Sequence, residues 1–256
     1  ELNVINDKLL QEEVISNIIT LVKNNNNFTP ITKLDNNKIV HIQTGTDSGK
    51  TFNEYLNKYT SVDYLKMSDY KSINDLLKSL NNYSTVIIGH HQPDKTPWNK
   101  YRFSKKELSW IDQISRLKNT ILTIFAKPYA LNNLSNLDSF KSIIISYQNG
   151  YIFQQKTAQM IFGAIQFNGI VPVSISNKIK VGEGLKTSKI NRLSYGLPES
   201  ENIDSEKLKK IDSIVKFAID SSMTPGVQLL VARNSKVIYE KNYGKLRYNK
   251  DESVNS

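Results

Sequence analysis

The sequence predicts an α/β protein, a flavodoxin-like three-layer sandwich around a mostly parallel five-stranded sheet, followed by a C-terminal helix and β-hairpin. Three observations predict it. Short apolar runs rich in Ile and Val alternate with segments of helical periodicity, and they do so five times. The runs, residues 121–125 and 143–147 most clearly, are bounded by Pro, Asn and Gly and lack polar alternation, as strands buried on both faces require. After Ile175 the composition turns to Lys, Gly and Ser, and a single amphipathic helix and a tight hairpin follow.

In chain order, residues 7–23 carry Leu10, Val14, Ile18 and Val22 at i+4 steps with Ile15 and Ile19 alongside, an amphipathic helix. It ends in four asparagines, residues 24–27, which favour turns. Residues 38–44 read as a strand, 45–50 as a polar loop, and Phe52, Tyr55, Leu56 and Tyr59 as the inner face of a helix. A weaker strand, 62–67, leads to a helix over 70–81 with Ile73, Leu76, Leu77 and Leu80 inward, then to a third strand, 85–89. Ser104 is a good N-cap with Glu107 at the capping-box position, opening a helix that runs to Leu117 and buries Leu108, Ile111 and Ile114. Strands follow at 120–125 and 142–147. Ala158, Ile161, Phe162 and Ile165 mark a helix over 153–167, with Gly169 where a C-cap is expected. Right-handed crossovers then give the strand order 2-1-3-4-5.

Residues 177–203 lack periodicity and are broken by Gly182, Gly184 and Gly196-Leu197-Pro198, which reads as a surface linker. Asp204 opens the last helix, with Leu208, Ile211, Val215 and Ile219 as its apolar stripe. Residues 227–233 and 236–243 form a hairpin around Asn234-Ser235. The chain thus divides into 1–176, a linker 177–203, and 204–256. A lone hairpin is marginal in water, so the last part is expected to dock on the α/β domain or on a second copy, giving a possible homodimer through the hairpin.

Of the 256 residues, 39% are hydrophobic and 23% charged, which supports a packed core and argues against wholesale disorder. No apolar run approaches the ~20 residues of a membrane span. No basic-then-apolar signal pattern opens the sequence, and ELNVINDKLLQEEV reads as the interior of a longer chain. Cysteine is absent, which removes disulfides, thiolate metal sites and thiol nucleophiles. The net charge of +10 is assigned to diffuse surface lysine, and no nucleic-acid partner is expected. A basic helix, zinc spacing and an aromatic RNA-binding signature are all missing. The tight basic run Lys100, Arg102, Lys105 and Lys106 meets Glu107 at once.

Three motifs invite chemistry. Gly45 to Thr51 resembles a phosphate loop between strand and helix, but only three residues separate Gly45 from Gly49 where the phosphate-cradling pattern needs four. Ser-x-x-Lys, an acylation motif, occurs at Ser68–Lys71, Ser115–Lys118 and Ser213–Lys216, as a chain rich in Ser and Lys provides by chance. None of the three opens a helix at the floor of a cleft, and no catalytic residue is assigned. His90, His91 and Asp94 follow the third strand, at the carboxyl edge where ligands of open α/β sheets gather. They are the candidate substrate-binding residues, for a sugar or a metal. Adjacent histidines rarely converge on one ion, no Cys or HExxH accompanies them, and neither a metal nor another cofactor is assigned. His41 reads as a strand residue. Tyr147-Gln148 and Gln154-Gln155, around the end of the fifth strand, either contact a partner or cap the following helix.

Lys127-Pro128-Tyr129-Ala130-Leu131, Ser146-Tyr147-Gln148, Gln155 with Ala158-Gln159-x-Ile161-Phe162-Gly163-Ala164, and Gly169-x-x-Pro172-Val173-Ser174 resemble, in this order, the C-terminal α/β domain of glycoside hydrolase family 3. The likeness is strongest to bacterial β-N-acetylhexosaminidase-like members and covers nearly the whole chain. Residues 204–256 resemble the opening of a β-lactamase-type serine hydrolase, stopping before its nucleophile. The resemblance implies a periplasmic or surface-exposed parent that hydrolyses O-glycosyl bonds, with carbohydrate as its substrate. It also implies that the nucleophilic Asp lies on a preceding catalytic barrel, which is then a partner missing from this chain. Glycosidases need two acid/base groups flanking one bond. Glu107 is the nearest candidate by position, and its cap role accounts for it better, so the fragment is expected to be inactive. The alternative is a stand-alone flavodoxin-like module binding a nucleotide or sugar through Gly45 to Thr51 and His90 to Asp94.

Overall fold

The computed structural model describes residues 4–94, 98 and 101–255. Two compact units emerge: Glu13–Asn191 form the larger, and the smaller joins the N-terminal residues up to Glu12 to those from Arg192 onward.

The chain opens with helix α1 (Ile5–Ile18) and strand β1 (Thr20–Asn24), then runs through β2 (Ile39–Gly45), α2 (Lys50–Asn57), β3 (Val62–Lys66), α3 (Ile73–Ser79), β4 (Thr85–His91), α4 (Lys105–Leu117), β5 (Asn119–Phe125), β6 (Ser142–Ile145) and α5 (Tyr151–Ile161). The sheet order is β1-β6-β5-β4-β2-β3, with every pair parallel except β1 with β6. The five expected strands lie in the expected order, but the sheet has six. Residues 20–24, read as the end of the first helix, are instead an antiparallel edge strand. Thr20 and Val22 are β-branched and suit it, and the amide of Leu185 covers the outer side of Leu21 at 2.7 Å. Because the helix stops at Ile18, Ile15 and Ile19 enter the core, while Leu10, Val14 and Ile18 stay exposed.

Alternate strand residues face opposite layers, as a period of two demands. Val40, Ile42, Val86, Ile88, Leu122 and Ile124 pack on Leu76 and Leu80 from the α3 segment and on Ile111 and Ile114 of α4. Ile39, Ile87, Ile121 and Ile144 pack on Phe52 and Leu56 of α2 and on Ala158 and Ile161 of α5. Helix α5 ends eight residues before the expected glycine. Gly163, at φ +73°, takes the left-handed turn after it. Gly169 is needed for a different reason, since a Cβ there would lie 2.5 Å from the carbonyl oxygens of both Ile18 and Ile19. Tyr147 is also left-handed, at φ +68°, so the fifth expected strand stops at Ile145.

Helix α4 has the expected capping box: Ser104 Oγ accepts the Glu107 amide at 3.2 Å, and Glu107 Oε2 accepts the Ser104 amide at 2.7 Å. The other oxygen, Oε1, accepts the amide of Gly45 at 2.7 Å. Glu107→Ala is therefore expected to cost about 2 kcal/mol, the loss of a cap plus an amide left without its acceptor. Urea unfolding checks this, and a loss below about 0.5 kcal/mol would mean that water replaces both bonds.

The expected linker divides. Residues 177–191 belong to the larger unit, held by the amides of Leu185, Thr187 and Ile190 on the carbonyls of Leu21, Phe167 and Gly163. Residues 192–203 belong to the smaller one, where β7 (Ser194–Tyr195) precedes α6 (Ser205–Asp220), β8 (Gly226–Arg233) and β9 (Lys236–Gly244) in a sheet ordered β7-β9-β8. Asn234 and Ser235 take φ of 50° and 62°, the double left-handed turn of a tight hairpin. Asp212 of α6 ties the helix to β9, accepting from Lys241 Nζ at 2.8 Å, Tyr239 at 2.7 Å and Tyr243 at 2.5 Å. These bonds, the one from Lys241 foremost, hold its carboxyl down to about 2.

Candidate functional site

The carboxyl ends of β2, β4 and β5 carry His90 and His91, and the pleat sends the two side chains to opposite layers. His90 Nε2 lies 3.0 Å from the Tyr101 carbonyl, and Nδ1 3.0 Å from Thr44 Oγ1. A carbonyl only accepts, so Nε2 carries the proton and Nδ1 receives the Thr44 hydroxyl. His91 Nδ1 lies 2.6 Å from Asn149 Oδ1, and the Asn149 amide nitrogen donates to the Ser48 carbonyl at 3.1 Å. That second bond fixes the amide orientation, so His91 is protonated at Nδ1. The His91 ring stacks on Phe125, centroids 4.4 Å apart.

Sequence reasoning missed the third member. His41, read as a plain strand residue, is fully buried with its ring 5.6 Å from that of His91. The Nε2 atoms of both rings crowd Gly89: a Cβ there would lie 2.3 Å from His91 Nε2 and 2.7 Å from His41 Nε2. The same His91 atom lies 2.5 Å from where a Cβ on Gly49 would stand. Burial drives all three histidines toward the neutral form. It lowers His91 to about 3 against the smaller opposing effect of Asn149, lowers His41 well below the ordinary value with the neighbouring His91 adding to it, and lowers His90.

The loop from Gly45 to Lys50 directs five of its amides onto protein acceptors. Gly45 N donates to Glu107, Asp47 N to the His91 carbonyl at 3.1 Å, Ser48 N to Asp47, Gly49 N to Gln43 Oε1 at 3.0 Å, and Lys50 N to Ser48 Oγ. Gln154 Oε1 accepts the Phe52 amide at 2.9 Å, while its nitrogen donates to the carbonyls of Ser48 and Asn149. Of the two roles open to Gln154 in the sequence, the geometry gives it a capping one, directed at α2 rather than at its own helix. Gln92 Oε1 accepts the Thr46 hydroxyl at 2.8 Å. The edge is a web of backbone and amide side chains in which the buried His91 Nε2 and both ring nitrogens of His41 have no hydrogen-bond partner among the described residues.

Asp94 is exposed, while both histidines are buried, so the three candidate residues do not form one cluster. Lys100, part of the basic run, lies outside the described residues. Two of the serines of the Ser-x-x-Lys motifs have other contacts. Ser68 donates to its neighbour Asp69, Ser115 donates to the Asp112 carbonyl within α4, and Ser213 is exposed on α6. Lys118 turns to the carbonyls of Asn81 and Tyr83. Among the described residues there is no group of three or more potential metal ligands, and no helix is long and apolar enough to cross a membrane.

No family model matches the chain, and no curated protein matches it by sequence. Solved structures do resemble it. A fungal multi-domain family 3 β-N-acetylglucosaminidase, described as holding a GCN5-related glucosamine N-acetyltransferase region, superposes on 67% of this chain with a TM-score of 0.55 and 19% identity. A glycoside hydrolase family 3 β-N-acetylglucosaminidase from Paenibacillus sp. covers 68% at a TM-score of 0.52 and 16% identity. A β-glucosidase from Erythrobacter marinus covers 72% at 0.54 and 11% identity. The matched portion spans 19%, 34% and 35% of those chains, respectively. What this chain shares with them is a fold, a mixed α/β sandwich that makes up one part of larger glycosidase chains.

Proposed function

We propose that this chain is an accessory, non-catalytic portion of a glycoside hydrolase family 3 enzyme. On this reading an α/β domain packs beside a catalytic barrel carried elsewhere in the parent, and residues 204–256 are the opening segment of a β-lactamase-type serine hydrolase. The parent would hydrolyse O-glycosyl bonds, with β-N-acetylglucosaminides and β-glucosides as its substrate class, in the periplasm or at the cell surface. The observation that carries the reading is that the carboxyl edge of the sheet turns most of its polar groups onto the protein itself, while the buried His91 Nε2 and both ring nitrogens of His41 have no hydrogen-bond partner among the described residues. His90, His91 Nδ1 and the amides of Gly45, Asp47, Ser48, Gly49 and Lys50 are engaged with protein groups, and the carboxylate of Glu107 is spent on the amides of Gly45 and Ser104 rather than left free to act on a glycosidic bond. Leu10, Val14 and Ile18 give α1 an exposed apolar stripe of the kind a neighbouring domain covers.

The nucleotide-module alternative is disfavoured by the same loop. A phosphate would have to displace Glu107, Gln43 and the His91 carbonyl from amides they already hold. The test is turnover by the isolated chain of p-nitrophenyl β-N-acetylglucosaminide, p-nitrophenyl β-glucoside and an activated acyl ester. Rates equal to the uncatalysed background are expected for all three. Saturable turnover of any of them would overturn the non-catalytic assignment.

A further inference from the structure

The opposite edge of the sheet, where β2, β3 and β4 begin, is built differently. A cleft of about 500 Å³ opens there, lined by residues that include Leu34, Lys38, Asp63 and Tyr83, and it falls within the size range of small-ligand sites. Leu34 and Tyr83 are half-buried and supply apolar surface. Asp63 Oδ2 accepts the Tyr83 hydroxyl at 2.6 Å. That bond, with smaller help from burial, pushes the phenol up to about 12. The hydroxyl therefore stays a neutral donor, its ring is held in place, and Asp63 is exposed with a second carboxylate oxygen able to accept. Asn36 and Asn82 are exposed at the rim, and their side chains make no hydrogen bond to other described residues.

The chemistry of the lining selects a ligand class. One cation, Lys38, and one carboxylate, Asp63, leave the cleft without net charge, which disfavours phosphorylated or strongly ionic ligands. A purely apolar ligand would strand the amides and the carboxylate. A sugar ring fits both halves: its C–H face lies on an aromatic or aliphatic surface, and its vicinal hydroxyls donate and accept toward paired carboxylate and amide groups. We infer that this cleft, formed by Leu34, Asn36, Lys38, Asp63, Asn82 and Tyr83, binds a short neutral saccharide. The site is remote from the histidine edge and stands or falls separately from the catalytic assignment above.

The test is a titration of the ¹⁵N-labelled chain with N-acetylglucosamine, glucose and cellobiose, followed by amide chemical shifts. Shifts centred on Asn36, Lys38, Asn82 and Tyr83 are expected for at least one sugar, with a dissociation constant on the order of 1 mM. Tyr83→Ala is expected to weaken binding at least about tenfold. Asn82→Ala, at an exposed position where folding is not at stake, is expected to weaken it several-fold while leaving other resonances in place. Three results would each overturn the inference: no shift with any sugar up to ~50 mM, far above that constant; shifts confined to the His90 and His91 edge; or unchanged affinity in both variants. An equal response to inorganic phosphate would overturn the neutral-ligand assignment.

Discussion

Lowering the pH from 7 to 5 is expected to remove about 2 kcal/mol of folding free energy through His91 alone, with His41 and His90 adding losses of the same sign. The cause is that all three histidines of the chain are buried and held neutral. In the unfolded chain each titrates near its ordinary value of about 6.5. Below that pH the unfolded state binds protons that the folded state refuses, so stability falls with pH by up to about 1.4 kcal/mol per unit for each histidine. The contribution is fully present above the unfolded value. For His91 it goes on being lost until about pH 3, where the folded state accepts the proton as well. Asp212, with its carboxyl held down to about 2, adds a loss of the same sign only at lower pH. Urea unfolding at pH 7.5 and pH 5.0 measures the difference, and His91→Gln should reduce it by about 2 kcal/mol, the His91 share. A slope below about 0.5 kcal/mol per unit across this window would mean that the rings are open to water.

Gly89→Ala is expected to cost about 3 kcal/mol or more, the upper range for overpacking a core. The added methyl would meet both Nε2 atoms at sub-van-der-Waals distance. Neither ring is free to retreat: His91 is bonded to Asn149 and stacked on Phe125, and His41 lies edge-on to Phe52 at 5.0 Å. Gly182→Ala provides the contrast. Nothing lies within 4 Å of the new Cβ, so only the left-handed backbone at φ +85° is penalised, at about 1 kcal/mol. In a His91→Ala background the cost of Gly89→Ala should shrink markedly, because the nearer ring is gone. Equal costs with and without the His91 ring would refute the packing described here.

The sequence carried the larger unit's order in its periodicity. Short apolar runs such as Ile-Leu-Thr-Ile-Phe at 121–125 suit strands covered on both faces, and the helices between them favour parallel pairing. The sixth strand was hidden because Ile15, Ile18, Ile19 and Val22 continue a helical repeat. What breaks the helix is pairing between Thr20–Asn24 and β6, a contact of long sequence separation. Gly169 fell at a plausible cap position, and only the fold reveals that its bare α-carbon admits the carbonyls of Ile18 and Ile19. At the carboxyl edge, His90 and His91 were visible as a pair, and strand alternation already implied their divergence. The signal for His41 was present too: a histidine between Val40 and Ile42 in an apolar strand covered on both faces is expected to be buried. Its partnership with Gly89 and His91 depends on the register of β2 against β4, which no local pattern encodes. Gln43, Asn149 and Gln154 were illegible for the same reason, as amides that serve backbone groups of distant segments.

The central claim is that the histidines at the carboxyl edge of this sheet are buried, neutral and held by the fold. Imidazole ¹⁵N resonances of the folded protein test it most directly. The account predicts fixed neutral tautomers at pH 7.5, protonated at Nε2 for His90 and at Nδ1 for His91, with no midpoint for His91 between pH 8 and the onset of acid unfolding. A histidine titrating near pH 6.5 in the intact fold, or shifting its tautomer when a glycoside is added, would contradict it.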